Sequence, residues 1–371
     1  MKKYSRLILL LTTLSSVGQA APFLAIGDGA ELFATGTLGV RADDNIFLSN
    51  KTKSDTIFDI NPGLTLDFGK NADLKGSLAI VDAFANYTDN SSLNTSLFSG
   101  DFNANYDDGK TKLNFIAGYH ELNQNTVDTG SPIGGGLVRR DQFNASAKGE
   151  VEISQISSVA LAVNFDHANY KHKGYGDSDT LLIPIAYYYK WTPKTELSFG
   201  YRYRNFQTQL GQDSIDHFIS VGARGELLPL LKGEISVGYN QRNISGGGSK
   251  SDPAIDGKVT YEFSQKTTFD FNISSDYSTT PQGIQQKNFT LGGKVNIAID
   301  STWSVNGGLT YRSIDYDSRK DDYMEFTLGA GYVVNSYVKL NAGYTYRNNS
   351  SKLAGSEFTN NVFSLSANFR Y

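Results

Sequence analysis

From Phe58 to Phe68 the chain alternates strictly. Phe58, Ile60, Pro62, Leu64, Leu66 and Phe68 take turns with Asp59, Asn61, Gly63, Thr65 and Asp67. Successive side chains of an extended strand point to opposite faces, so a period of two builds a strand with one apolar and one polar face, where a helix would need a period of 3.6. Pro62 offers no N–H to a ladder, so a local break in pairing is expected there. The same period returns along the chain, in Leu113, Phe115, Ala117 and Tyr119, in Leu181, Ile183, Ile185, Tyr187 and Tyr189, in Leu197, Phe199, Tyr201 and Tyr203, and in Phe326, Leu328, Ala330 and Tyr332. Counted this way there are about 18 strands of the length tilted membrane strands need. They begin near residues 33, 56, 73, 96, 111, 139, 158, 178, 195, 214, 233, 253, 267, 286, 302, 322, 338 and 358.

Composition then decides the setting of these strands. The mean hydropathy of -0.35 reads as water-soluble, yet the chain carries 22 Phe and 22 Tyr. Alternation reconciles the two, because a chain with every second residue in lipid averages out as polar. A soluble β-sandwich also alternates, but one of this length would need two domains and a linker, and no linker is visible. Lipid offers no hydrogen-bond partner to an open sheet edge, so the expected fold is all-β: a closed, antiparallel, up-and-down transmembrane barrel.

The first 20 residues have a basic start (Lys2, Lys3, Arg6), an apolar run from Leu7 to Val17, and small residues at Gly18 and Ala20. That order predicts a secretory signal peptide at 1–20, cleaved after Ala20 or Ala21. A segment at 21–32 would follow on the periplasmic side, and the barrel would occupy 33–371. Removal of the leader moves the net charge from -4 to about -7, which argues against nucleic acid as a partner. With no cysteine in the chain, neither disulfides nor thiolate metal sites are available.

Short connections, such as Gly69 to Asp73 and Asp107 to Lys110, alternate with longer polar ones, such as Phe47 to Asp55, Lys171 to Asp177 and Ser245 to Asp252. A barrel with periplasmic turns and extracellular loops has this pattern, and an even strand number places both termini in the periplasm. The longest connection, Glu121 to Val138, joins the fifth and sixth expected strands, where an inward-folded loop would narrow a pore by analogy with general porins; a plain surface loop is the alternative. The third strand fits least well, since Asp82 shares parity with Leu78, Ile80 and Phe84, and a bulge is expected there. At the C-terminus, Phe363, Leu365, Ala367, Phe369 and Tyr371 alternate with polar residues. Phe369 and Tyr371 resemble the signal read by the barrel-assembly machinery, with Ser366 where that signal often has glycine.

Strand parity places charges of both signs on the inner face. The expected pore-lining residues are Arg41, Asp59, Asp67, Arg202, Arg204, Arg224, Arg242, Lys258, Glu262, Lys294, Arg312, Glu325 and Arg347, with Glu234, Asp256 and Asp270 beside them. A barrel of 16–18 strands leaves an aqueous channel whose charge rings set selectivity. A lumen shut by its own ion pairs is the competing expectation. His120, His167, His172 and His217 lack an accompanying nucleophile motif, and Gly134–Gly136 and Gly246–Gly248 lack the Lys-Ser/Thr of a phosphate loop. No catalytic, cofactor-binding or metal residue is expected.

The stretch Gly39-Val40-Arg41-Ala42-Asp43-Asp44-Asn45-Ile46-Phe47-Leu48, followed by Ser54-Asp55 and Pro62-Gly63-Leu64, resembles the opening of the putative β-barrel porin 2 family. Those residues cover about 26 positions, and the repeated strands and aromatic end fit the family over the rest. The resemblance implies a passive, porin-like barrel, with some members similar to proteins that accompany exopolysaccharide export, and it supplies no catalytic residue. Outer-membrane lipid, lipopolysaccharide, the assembly machinery and hydrophilic solutes or polysaccharide are then the expected partners, and self-association stays open. An outer-membrane hydrolase and a non-conducting structural or adhesive barrel are the alternatives. For Asp43-Asp44-Asn45, loop capping is expected ahead of cation binding.

Overall fold

The computed structural model describes residues 21–27, 29–125, 137–316, 319–353 and 355–371. After a short strand β1 (Leu24–Ile26) come β2 (Ala30–Asp43), β3 (Asp55–Phe68), β4 (Leu74–Tyr87), β5 (Thr95–Asp107), β6 (Thr111–Asn125), β7 (Leu137–Ser154), β8 (Ser157–Tyr170) and β9 (Ser178–Lys190). The chain continues through β10 (Thr195–Thr208), β11 (Ser214–Leu228), β12 (Leu231–Ile244), β13 (Ser249–Ser264), β14 (Thr267–Thr279) and β15 (Gln285–Ala298). It ends with β16 (Trp303–Asp315), β17 (Lys320–Val333), β18 (Val338–Ser350) and β19 (Phe358–Arg370). Neighbours in sequence pair antiparallel, and β19 returns to β2 from Val362↔Asp43 to Arg370↔Thr35. The sheet therefore closes as a barrel of 18 strands, β2 to β19. Every expected strand start lies within four residues of the observed one.

The two faces are inverted relative to a soluble protein. Outward side chains are large and apolar, including Leu38, Phe58, Phe199, Val237, Leu309 and Leu365. Among the described residues the buried apolar cluster, by contrast, consists of Leu48, Tyr323 and Phe358. Leu365, 61% exposed midway along β19, gives a direct test of orientation. Leu365→Arg is expected to cost about 2–4 kcal/mol if that position lies near the bilayer midplane. The same change at Ser366, on the inner face, should cost less. Urea titrations of the refolded protein in lipid would show the difference; equal losses would contradict this assignment of faces.

The ends of the barrel differ. At the end that holds both termini, connections run from two residues (155–156, 229–230, 265–266) to five (69–73); at the far end they run from four (245–248) to eleven (44–54). The short turns are built locally. Asp300 accepts N–H bonds from Trp303 and Thr302, and Asp108 from Thr111 and Lys110, which hold both carboxyls below the ordinary aspartate value. Gly69, at φ +76°, leaves no room for a side chain, since a Cβ would lie 1.9 Å from the Leu74 carbonyl oxygen.

Several expectations need adjustment. The β4–β5 register runs unshifted from Leu74↔Tyr106 to Ala85↔Thr95, so β4 has no bulge. Asp82 does lie on the outer face, where Ser96 Oγ donates to it at 2.8 Å; a hydrogen bond, not a kink, accommodates the charge. At Pro62 the β3–β4 ladder skips from Ile60↔Phe84 to Gly63↔Val81, a local break without change of register. The segment expected at 21–32 contains β1 and the start of β2. β1 pairs with β2 at Leu24↔Leu32 to Ile26↔Ala30 and covers the stretch of β2 edge below the last residue of β19. The connection expected at Ser245 to Asp252 shrinks because β13 already starts at Ser249. Residues 1–20, and 126–136 with Gly134–Gly136, lie outside the described residues, so the expected leader and the tip of the longest loop are not seen.

Candidate functional site: the barrel lumen

One contact fixes which face is inside. Arg224 of β11 reaches Glu150 of β7, four strands away, through two hydrogen bonds, one of them Nη1 to Oε2 at 2.9 Å. Side chains on strands so far apart meet only across the concave surface. Each of the thirteen expected residues, Arg41, Asp59, Asp67, Arg202, Arg204, Arg224, Arg242, Lys258, Glu262, Lys294, Arg312, Glu325 and Arg347, lies on this inner face by strand parity, as do Glu234, Asp256 and Asp270.

The structure joins some of these residues and separates others. Near the end with the termini, Arg224 also donates to Glu196 (2.5 Å) and lies over the Tyr188 ring, 3.3 Å from its centroid. Ser158 Oγ donates to Glu150 at 3.0 Å. Two carboxylates thus flank one guanidinium. Elsewhere Arg41 pairs with Asp59 (2.8 Å), Arg347 with Glu325 (3.2 Å), Arg370 with Asp67 (2.7 Å), and Lys232 with Glu262 (2.9 Å).

Toward the far end, Arg242 donates from Nε and Nη2 to the two oxygens of Asp216 at 2.7 and 2.8 Å. Arg204 Nε also donates to Asp216, at 2.6 Å, while its Nη1 and Nη2 reach Asp276 at 2.8 and 3.1 Å. Arg202 stands 3.4 Å from Asp276 and lies over the Phe218 ring. Three arginines face two aspartates here, and the Arg242 and Asp216 side chains are only 2% and 3% exposed. Bidentate guanidinium–carboxylate geometry supplies directed bonds that offset the loss of hydration.

The histidines do not form a site. His167, beside Asp179 at 2.8 Å, and His217, beside the Tyr201 hydroxyl at 2.7 Å, sit on outward parity. His120, 3.2 Å from Asp101, is on the inner face. The two His–Asp pairs therefore occupy opposite sides of the wall and cannot combine.

Against this geometry, the family model described as Putative beta-barrel porin 2 matches residues 32–371. The chain belongs to this family. No curated protein matches it. Among solved structures, this porin 2 barrel is similar to Pseudomonas aeruginosa OpdL, at 13% identity over 93% of this chain and 99% of that one, TM-score 0.49. It is also similar to OpdK of the same organism (9% identity, 92% and 99%, TM-score 0.47). With the ferric citrate transporter FecA the identity is 13% over 87% of this chain, TM-score 0.47, and the porin 2 barrel spans 61% of FecA's length.

The residues that carried the family resemblance turn out to lock the far end of the porin 2 barrel at its seam. Asp43 accepts from the Asn45 N–H (2.8 Å) and from Asn360 Nδ2 (2.7 Å); Asp44 accepts from the N–H and Nδ2 of Asn361, both at 2.7 Å. Asn45, fully buried, donates to the carbonyls of Ser49 (2.8 Å) and Thr359 (2.9 Å). Asp55 accepts from the backbone of Thr88, Asp89 and Asn90 and so caps the next loop. These side chains are structural, as the capping expectation had it. Asn45→Ala should cost about 1–3 kcal/mol by leaving buried carbonyls unpaired, read as a lower urea midpoint with an unchanged slope.

Inner-face partners that sequence reasoning passed over include Glu150, Glu196, Asp216 and Asp276. All four follow the same even parity as Arg204 and Arg224 and could have been found by it. The contact of Asp276 with Arg204, four strands away, is what no local pattern announces.

Proposed function

We propose that the chain is a porin-like channel through which hydrophilic solutes cross the outer membrane. The supporting observation is the inner face: paired charges of both signs and neutral amides and hydroxyls, set inside a wall whose outward side chains are apolar. Water and polar solutes are stabilised on such a surface, and rings of charge give it a field. In this reading the leader at 1–20 is removed, the end with the short turns and both termini faces the periplasm, and the far-end loops face outward.

A finer reading is export of polysaccharide. The inner wall from β14 to β19 carries Asn272, Asn296, Asn306, Thr310, Asn341 and Asn368, neutral groups that exchange hydrogen bonds with sugar hydroxyls without holding one tightly. The lumen residues Lys258 and Lys294 add cationic groups for acidic sugars.

Conductance of the refolded mature barrel in a planar bilayer tests both readings. Steady ohmic steps are expected, with block by neutral or acidic oligosaccharides if polysaccharide is the cargo. A properly folded barrel that stays silent even when its lumen is cleared of inward-folded segments would sink the channel reading. Turnover of lipid or peptide substrates would instead favour the hydrolase alternative.

A further inference from the structure

We propose that the far half of the β14–β15 hairpin is a latched constriction inside the channel. Resting on the channel reading above, this assigns the narrowing to residues 275–287.

Four observations carry it. First, the wall splits: the β13–β14 ladder ends at Asp256↔Ser274, although β13 begins at Ser249 and β14 continues to Thr279. Pro253, with no N–H to give, lies on the abandoned edge. Second, beyond the split the outward-parity residues of the hairpin touch the inner face of β13. Lys287 pairs with Asp252 at 2.8 Å, and the Tyr277 hydroxyl donates to the same carboxylate. An outer face meets an inner face only if the hairpin has folded into the lumen. Third, its tip is tied to two other far-end loops, with Gly176 N–H donating to the Pro281 carbonyl at 2.8 Å and Gln285 Nε2 to the Gln212 carbonyl at 3.4 Å.

Fourth, the wall holds it there. Arg204 Nη2 donates to the Tyr277 carbonyl (2.9 Å) and Arg242 Nη1 to the Ser278 carbonyl (2.9 Å) and Gln285 Oε1 (2.8 Å), while Asn240 donates to Asp276 (2.9 Å). These guanidiniums are themselves oriented by Asp216, so the latch consists of the arginine–aspartate cluster already described. Backbone carbonyls that left one strand are thus met by charged donors from another wall.

The test compares the wild type with a trimmed barrel in which Ser278–Gln286 is replaced by Asn-Gly, a two-residue turn suited to the Tyr277↔Lys287 pair. Removing an obstruction from a lumen of this strand number should raise unit conductance by roughly two-fold or more, and admit larger neutral sugars. A silent wild type with a conducting trimmed form also supports the proposal. Equal conductance overturns it while leaving the channel reading intact; silence from both folded forms overturns the channel reading itself. Should the trimmed form not fold, the cysteine-free chain permits a second measurement, Gln286→Cys labelled with a bulky thiol reagent. A labelled barrel whose current falls supports the proposal, and one whose current is unchanged overturns it.

Discussion

Asp216→Ala is expected to cost the barrel about 3–5 kcal/mol, the penalty for removing one partner of a buried ionic cluster and leaving the others uncompensated. Asp216 is the hinge of the far-end network, accepting from both Arg204 and Arg242. Without it the largely desolvated Arg242 guanidinium loses the carboxylate it pairs with, and Arg204 is left with Asp276. Asp59→Ala is the matched control. Arg41 and Asp59 are 35% and 22% exposed, water screens them, and the expected loss is about 0–1 kcal/mol. Urea unfolding of the two refolded variants in lipid should separate them clearly. If Asp216→Ala lost no more than Asp59→Ala, the cluster would be solvated despite its burial and the latch would have no strength. Asp216→Asn should fall between, because an amide keeps one acceptor but surrenders the charge.

The contrast between these two sites also explains what could be read without coordinates. Parity placed Arg41, Arg204 and Arg242 on one face because the strand period is local and fixed by backbone geometry. It held even at β4, where Asp82 on the outer face invited a bulge that does not exist. Parity is silent on distance along the arc, however. Arg224 and Glu150 look unrelated in sequence and meet because the barrel curves. Nor does it announce where a ladder stops: Ser274-Ser275-Asp276-Tyr277-Ser278 contains neither proline nor glycine, yet beyond Ser274 the strand leaves β13. Length singled out the loop from Glu121 to Val138 as one that would either narrow the pore, by analogy with general porins, or lie on the surface, and its tip lies outside the described residues; the constriction argued above lies instead at a hairpin with a short connection. Length suggested a loop free to fold inward; arginines and a split ladder are what hold one there.

Removal of Phe369, Arg370 and Tyr371 is expected to abolish recovery of the barrel from the outer membrane, and its cause can be divided. Two accounts predict the loss. In one, Phe369 and Tyr371 are recognised by the assembly machinery. In the other, the seam itself fails, because Phe369↔Gly36 and Arg370↔Thr35 are two of its nine Cα pairs and Tyr371 exchanges backbone hydrogen bonds with Ala34 at 2.9 and 2.7 Å. Tyr371 also packs against Phe23 and Tyr337, and Arg370 bonds Asp67 and lies over Phe33, so truncation would strip β1 as well as β19 from the closing edge. Refolding from urea into lipid, where no machinery is present, distinguishes the two. A truncated chain that refolds to a heat-modifiable barrel but is missing from cells assigns the loss to recognition; one that fails in both assigns it to closure. Closure is the stronger expectation, since an open edge in lipid leaves N–H and C=O groups with no water to bind, and each unpaired group costs several kcal/mol in that medium. Tyr371→Phe, which keeps the ring and backbone, should refold normally under either account.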